Sequence, residues 1–416
     1  MSKQFKICFV LGTRPEIIKL YSSIQYCHKN NIPYFVIHTN QHYNSNMDSV
    51  FFDELEIASP KYNLKVGSGS HATMTAKMLT AMEEVMQDEK PSVVIVQGDT
   101  NSTLSGALVA AKMGIKVAHI EAGLRSYDRS MPEEINRIMV DHISDFIFPP
   151  TEAQKKTLLG EGISESKIFV VGNTVVDAIL DCQKLSQQKS TIIESLNLTN
   201  SIENKIEKKE AIVEKSDDLF SFEPEELVEN ETNDSLFDFD SNSSSNTNIS
   251  NQKYFLLTCH RPSNTDKLEH FRAILQATNE ICLEQGAICI FPAHPRLAKQ
   301  INTINQFNKI KVIEPVGFLD MIALQSGADT IFTDSGGIQE EACILQKKTV
   351  ILRTNTERPE TIEVGGANLV KEITVNEIKN QYSNLTKKSV NWYNPFGSGL
   401  SGSKIVNVIT AILDKK

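Results

Sequence analysis

The sequence predicts an α/β protein built from two Rossmann-like, doubly wound parallel-sheet domains facing a cleft. Short, continuous apolar runs alternate with helix-length segments in both halves of the chain. Such runs, set between helices, mark strands buried on both faces. Right-handed crossovers then turn the alternation into a parallel sheet. At roughly 150 residues per domain, the 416 residues allow two or three domains. Hydrophobic residues at 40% and charged residues at 23% supply an ordinary globular core.

In the first half, FKICFVLG (5–12) is a strand ending in Gly12, and an apolar-periodic segment from Pro15 to Tyr26 follows. PYFVIHT (33–39) and SVVIVQGD (92–99) are the next strands. TLSGALVAAKMG (103–114) reads as a helix with Gly114 as its C-cap. KVAHIEAG (116–123), DFIFPPT (145–151) and KIFVVGNT (167–174) close a first domain over 1–180. YFLLTCHR (254–261), AICIFPAHP (287–295), IKVIEPV (310–316), TIFTDSGG (330–337) and KTVILRT (348–354) repeat the pattern in a second domain over 253–395. A last helix, with apolar residues at helical spacing, occupies 396–416.

Residues 185–252 break the alternation. From Ser201 to Asp240 there are 14 Asp and Glu against 4 Lys, a local balance equal to the whole chain's formal charge of −10. The stretch is rich in Ser and Asn, so it buries too little apolar surface to offset its ordering entropy. It reads as an acidic, disordered insert. The alternative is a docking segment that presents Phe220, Phe222, Phe237 and Phe239 to a basic partner groove.

The remaining chain is close to neutral, which argues against a nucleic-acid surface. No apolar run approaches the ~20 residues of a membrane span, and the opening MSKQFKICFV is too short for a signal peptide. The expectation is a soluble, cytoplasmic protein without a membrane partner. Seven cysteines without a CxxC pair read as reduced core thiols.

The chemistry gathers at strand ends. Gly12-Thr13-Arg14-Pro15-Glu16 offers backbone N–H groups at a helix start together with a permanent cation, and Lys19 follows one turn later. Such a turn suits an anion such as phosphate. Asp99, Glu121 and Glu133 converge on the same face, where burial and mutual repulsion would raise at least one pKa toward the acid–base range. Taken singly, Asp99 could instead cap a helix and Glu133 could serve its dipole. No His pair accompanies the acids, so no metal site is expected. In the second half, His260-Arg261 ends a strand. Ser335-Gly336-Gly337 opens a helix as a diphosphate cradle, and Glu340 or Glu341 is placed for ribose hydroxyls. From the residues alone this is a nucleotide or nucleotide-sugar binder.

Longer motifs then match a family. GTRPEIIKL (12–20), QH (41–42), QGDT (97–100), HIEAGLRS (119–126), MPEEINR (131–137), VVGNTVVDAI (170–179), HR (260–261), TDSGGIQEEA (333–342) and TERPETIEVG (356–365) resemble the non-hydrolysing UDP-N-acetylglucosamine 2-epimerases. The resemblance implies the glycosyltransferase-B type of fold. It implies inversion at C2 by anti elimination of UDP and re-addition, without cofactor or metal, and a place in cell-surface polysaccharide biosynthesis. It gives Asp99, Glu121 and Glu133 the acid–base and intermediate-stabilising roles. Arg14, Lys19 and His260 would hold or polarise the diphosphate, Ser335, Gly336 and Gly337 would bind phosphate, and Glu341 the ribose. The family often forms dimers, so a homodimer is expected.

Gln41, His42 and His294 are candidates for a second UDP-sugar site. The longer stretch after His42, Ser263 in place of a Glu in the HRxEN pattern, and Pro-Arg after His294 depart from the members that use one. FFDEL (51–55) and GSGSH (67–71) resemble a subgroup acting on UDP-2,3-diacetamido-2,3-dideoxyglucuronate. That sugar is one alternative substrate, and a hydrolysing enzyme releasing N-acetylmannosamine and UDP is an alternative reaction.

Overall fold

A computed structural model describes residues 5–40, 52, 54–198, 253–293, 297, 304, 306–388 and 391–414. The chain divides into two compact units, 1–188 with 393–416, and 189–392. The acidic stretch from 199 to 252 and the second-site candidates Gln41, His42 and His294 lie outside the described residues.

The first unit holds strands β1 (Ile7–Leu11), β2 (Tyr34–His38), β3 (Tyr62–Asn63), β4 (Val93–Gln97), β5 (Lys116–Ile120) and β6 (Phe146–Phe148) in the order β3-β2-β1-β4-β5-β6. Its strand pairs are all parallel. The second holds β7 (Tyr254–Thr258), β8 (Ile288–Pro292), β9 (Ile310–Ile313), β10 (Thr330–Thr333), β11 (Lys348–Ile351) and β12 (Ala367–Leu369) in the order β12-β11-β10-β7-β8-β9. Counted within each unit, both sheets have the doubly wound order 3-2-1-4-5-6. The order reverses between β1 and β4 in one and between β7 and β10 in the other, and loops leaving a parallel sheet part there to admit a ligand.

The continuous apolar runs have the cause expected of them. Ile7 to Leu11, Val93 to Val96 and Tyr254 to Leu257 are buried throughout, because helices cover both faces of each sheet. Met78, Met82 and Met86, at i, i+4 and i+8 of the helix His71–Glu89, fill the first core. Phe255, Phe271, Phe291 and Phe332 anchor the second. All seven cysteine side chains are buried.

Three boundaries differ from expectation. The helical pattern does not break at 185: the helix Thr174–Lys189 runs past it, and Ile193 and Leu198 are buried in the second unit's core. KIFVVGNT (167–174) is not a strand but touches the sheet through one bridge, Ile147 to Ile168. The segment after 393 belongs to the first unit, where the helix Ser401–Leu413 packs on the helix α1 (Arg14–Lys29).

That last packing is close enough to need a glycine. The Gly402 N–H donates to Asp177 Oδ1 at 2.9 Å, and a Cβ on Gly402 would stand 2.3 Å from Ser22 Oγ and 2.7 Å from Ser22 Cβ. Overpacking of this kind costs about 1–3 kcal/mol. Gly402→Ala should therefore lower the thermal midpoint by several degrees in a melting experiment, and an unchanged midpoint would mean the helix does not seat on Ser22.

Candidate active site

In the first unit, the loops leaving β1 and β4 meet where the strand order reverses. Glu16 joins them. It is 1% exposed, and its Oε2 faces the Gly12 N–H at 3.0 Å and the Thr13 hydroxyl at 2.8 Å. Its Oε1 faces the Thr100 hydroxyl at 2.7 Å and the Thr103 hydroxyl at 3.1 Å. Burial pushes this carboxyl up against the pull of those hydrogen bonds. Arg14 lies beside it, exposed in the first turn of α1.

Asp99 and Glu121 are each held by a cation. Arg137 donates to Asp99 Oδ2, and its other arm donates to Glu134 Oε2 at 2.9 Å. The Lys19 ammonium stands 2.7 Å from both Glu121 oxygens, and the Gln97 amide also donates to Glu121. Glu121 has φ of +66°. A non-glycine residue there carries roughly 1–3 kcal/mol of strain and persists only where its surroundings over-determine it. Its N–H donates to the Phe148 carbonyl at 3.1 Å, and the ammonium fixes its other end.

Glu133 and its neighbour divide the work of the PEE motif. Glu134 is buried and accepts from the Ser126 and Tyr127 N–H groups at 2.9 and 3.0 Å, shaping the loop before the helix Pro132–Ile143. Burial works to raise its carboxyl, but those N–H groups and Arg137 outweigh it and hold it low. Glu133 is half-buried and makes no hydrogen bond or ion pair among the described residues, which leaves its carboxyl available.

A second layer fixes the loop that carries Asp99. His119 Nε2 donates to the Gly98 carbonyl at 2.8 Å, and Nδ1 lies 2.7 Å from Asp141 Oδ1. Burial opposes ionisation of Asp141, yet His119 and Arg125 beside it hold its carboxyl low. Gly98 itself sits at φ of +74°, a turn open to glycine without strain.

The second unit has a matching hub. Asp334 is fully buried and accepts from the backbone N–H groups of His260 and Arg261 at 3.2 and 3.0 Å and from the Asn264 amide at 3.1 Å. His260 Nδ1 lies 3.0 Å from Asp334 Oδ1, which turns Nε2 outward. Burial would raise the Asp334 carboxyl, but its donors prevail and hold it low. One residue on, the Ser335 hydroxyl caps the helix Gly336–Ile344. A Cβ at Gly336 would meet Glu357 Oε2 at 3.6 Å, and one at Gly337 would meet Glu341 Oε1 at 3.9 Å, both ordinary contacts. The fold does not require glycine at either place, so the bare backbone is free to approach a ligand. Burial pushes the Glu341 carboxyl up to about 7, against a 2.6 Å hydrogen bond from the Gln325 amide.

The structure thus brings Arg14, Lys19, Asp99 and Glu121 to one sheet end, with Glu133 in the helix that follows β5. It gathers His260, Ser335, Gly336 and Gly337 at the corresponding end of the other sheet. Lys19, expected on phosphate, is paired with Glu121. Glu16, Arg137 and Asp334 stand inside the sequence motifs, but the sequence assigned them no role of their own. Two of these had a local signal: Thr13-x-x-Glu16 has capping-box spacing, and Arg137 lies one helical turn after Glu133 and Glu134.

The chain is similar to known proteins over nearly its whole length. The family described as UDP-N-acetylglucosamine 2-epimerase matches residues 25–235 and 225–410. A UDP-N-acetylglucosamine 2-epimerase from Methanocaldococcus jannaschii is 46% identical, covering 97% of this chain and 99% of the relative. One from Methanococcus maripaludis is 43% identical over 97% of this chain and 98% of its own length. The crystal structure of the M. jannaschii enzyme in complex with UDP-GlcNAc and UDP aligns with a TM-score of 0.71 at 44% identity, covering 98% of this chain and 100% of that one.

Bare backbone at 336 separates fold from binding. Gly336→Ala should leave the melting temperature unchanged or slightly raised, because alanine favours a helix. Calorimetric titration with UDP should show affinity weakened by about tenfold or more, a loss of at least ~1.4 kcal/mol. Unweakened binding would remove this turn from the nucleotide site.

Proposed function

The chain belongs to the UDP-N-acetylglucosamine 2-epimerase family, a family of isomerases, and from that premise we propose that it interconverts UDP-N-acetylglucosamine and UDP-N-acetylmannosamine with UDP retained on the product. The observation that carries this reading is the 46% identity across 97% of the chain to an enzyme of that name. The residues supply the parts the reaction needs.

A carboxylate of the first unit takes the C2 proton as the C1–O bond to UDP breaks. The C2–H electron pair becomes the double bond of a 2-acetamidoglucal, and the C1–O pair leaves with the diphosphate. Protonation of C2 on the opposite face and return of UDP to C1 complete the inversion, with no net redox change. Asp99, Glu121 and Glu133 supply the proton traffic. Arg14 and His260 stabilise the charge that develops on departing UDP. Lys19 orients Glu121 and places a cation beside the reacting acids. The Ser335–Gly337 turn holds phosphate on its N–H groups, and Glu341 accepts from the ribose hydroxyls.

The relative at 32% identity from Pseudomonas aeruginosa, a UDP-2,3-diacetamido-2,3-dideoxy-D-glucuronate 2-epimerase, supports the more decorated sugar less strongly than the archaeal relatives support the simpler one. A cytoplasmic homodimer completes the proposal, following the family resemblance.

Incubation with UDP-N-acetylglucosamine followed by nuclear magnetic resonance tests the reading. A UDP-linked manno isomer is expected, whereas free N-acetylmannosamine with UDP would make the enzyme hydrolysing. Asp99→Asn should cut turnover by at least ~100-fold, the usual scale for losing an acid–base group. Near-native turnover would remove Asp99 from the mechanism.

Glu341 gives a pH signature. Its folded pKa of about 7 exceeds the unfolded value of roughly 4.3. Its contribution to stability is therefore fully present below that unfolded value and lost as pH rises through about 7. Affinity for UDP-N-acetylglucosamine should move the other way, tightening as the carboxylate forms to accept ribose hydroxyls. Glu341→Gln should flatten both trends, and a variant with both trends intact would exclude this group.

A further inference from the structure

We infer that Glu16 is a positioning residue of this site, an uncharged carboxylic acid that clips the Gly12–Thr13 turn, which presents Arg14, to the Thr100–Thr103 turn, which follows Asp99. The inference rests on the epimerase reading for its kinetic consequence, though not for the protonation state.

The hydrogen inventory carries it. Four groups surround the carboxyl: the Gly12 N–H and the hydroxyls of Thr13, Thr100 and Thr103. The first two donate to Oε2, and Thr100 donates to Oε1. Thr103 has a single hydroxyl hydrogen, and its nearer acceptor is the Gln97 carbonyl at 2.7 Å, against 3.1 Å to Glu16 Oε1. The Thr103 oxygen also faces the Thr100 oxygen at 3.1 Å, so the donors that meet the carboxyl are one N–H and hydroxyls that have other partners as well. No cation stands among these donors to offset a buried negative charge, and a protonated Oε1 can donate to the Thr103 oxygen in return.

Burial acts in the same direction. The residue is 1% exposed, and desolvation is the largest influence on its carboxyl. The start of α1 favours an anion through the helix dipole, and burial opposes it. A neutral acid suits the place. It ties two loops together across the point where the strand order reverses, yet adds no negative charge beside Arg14, which the proposed mechanism sets against the departing diphosphate.

The mechanical consequence is specific. Thr100 follows Asp99 directly, and Thr13 precedes Arg14. Removing the clip lets the two turns drift apart, and misplacement of a reacting group by about 1 Å can cost on the order of 100-fold. Asp99 acts on the moving proton and Arg14 on the charge that develops as UDP leaves, both felt in the transition state, so the loss belongs in kcat more than in KM.

Three proteins test this: wild type, Glu16→Gln and Glu16→Ala. An amide keeps the place uncharged, its oxygen accepting from Gly12 and Thr13 and its N–H groups donating to Thr100 and Thr103, with the Thr100 hydrogen turned to the Thr103 oxygen 3.1 Å away. Glu16→Ala should lose about 30-fold or more in kcat with KM moved less than about threefold. Glu16→Gln should recover at least about a third of the wild-type kcat with the wild-type pH profile. Infrared difference spectra of wild type minus Glu16→Gln at neutral pH should show the carbonyl stretch of a protonated carboxyl.

A carboxylate band in its place, or Glu16→Gln as slow as Glu16→Ala, would overturn the inference. Should Glu16→Ala not fold, the infrared comparison and the Glu16→Gln kinetics still decide it. Wild-type protein that does not turn over UDP-N-acetylglucosamine would defeat the epimerase reading, while the infrared bands would still judge the state of Glu16.

Discussion

A carboxyl group shut away from water must find donors or keep its proton, and each sheet of this protein is organised around one such group. Glu16 sits where the strand order reverses in the first sheet, and Asp334 occupies the matching point of the second. Each reaches across from one loop to the other, so each ties together the two turns that the topology drives apart. Their solutions differ. Asp334 is met by backbone N–H groups, an amide and the His260 ring, which together keep its carboxyl low. Glu16 is met mostly by hydroxyls, which stabilise an anion less, and burial pushes it up. Similar geometry thus yields a carboxyl held low that orients a histidine in one unit and a carboxyl pushed toward its neutral form in the other.

The chemistry follows from what these clips leave exposed. The first unit presents acids with fixed orientations: Asp99 on Arg137, and Glu121 between Lys19 and Gln97 on a left-handed backbone. The second presents an imidazole and N–H donors: a histidine oriented by Asp334 and a glycine turn that packing does not demand.

Much of this was legible in the sequence because strands buried on both faces must be continuous apolar runs. β1, β4, β5 and β7 stand where those runs stand. The two- and three-residue strands β3 and β12 carry too few residues to show a pattern. KIFVVGNT is apolar enough for a strand, but it finds only one bridging partner. The return of the last helix to the first unit is a tertiary event: its apolar stripe says that it packs, not on what. The motif acids and glycines were visible by type and place. Glu16, Arg137 and Asp334 were harder to see because their defining partners lie 84, 38 and about 70 residues away. No spacing rule reaches that far.

The central claim is that carboxylates of the first unit work on the proton at C2 of a UDP-sugar. Turnover of UDP-N-acetylglucosamine in deuterium oxide, followed in the proton spectrum, reaches that claim directly. The C2 proton signal should disappear from the UDP-linked manno product and then from the substrate pool, because the removed proton exchanges with solvent before the opposite face is protonated. A manno product that keeps its original proton at C2 would contradict it.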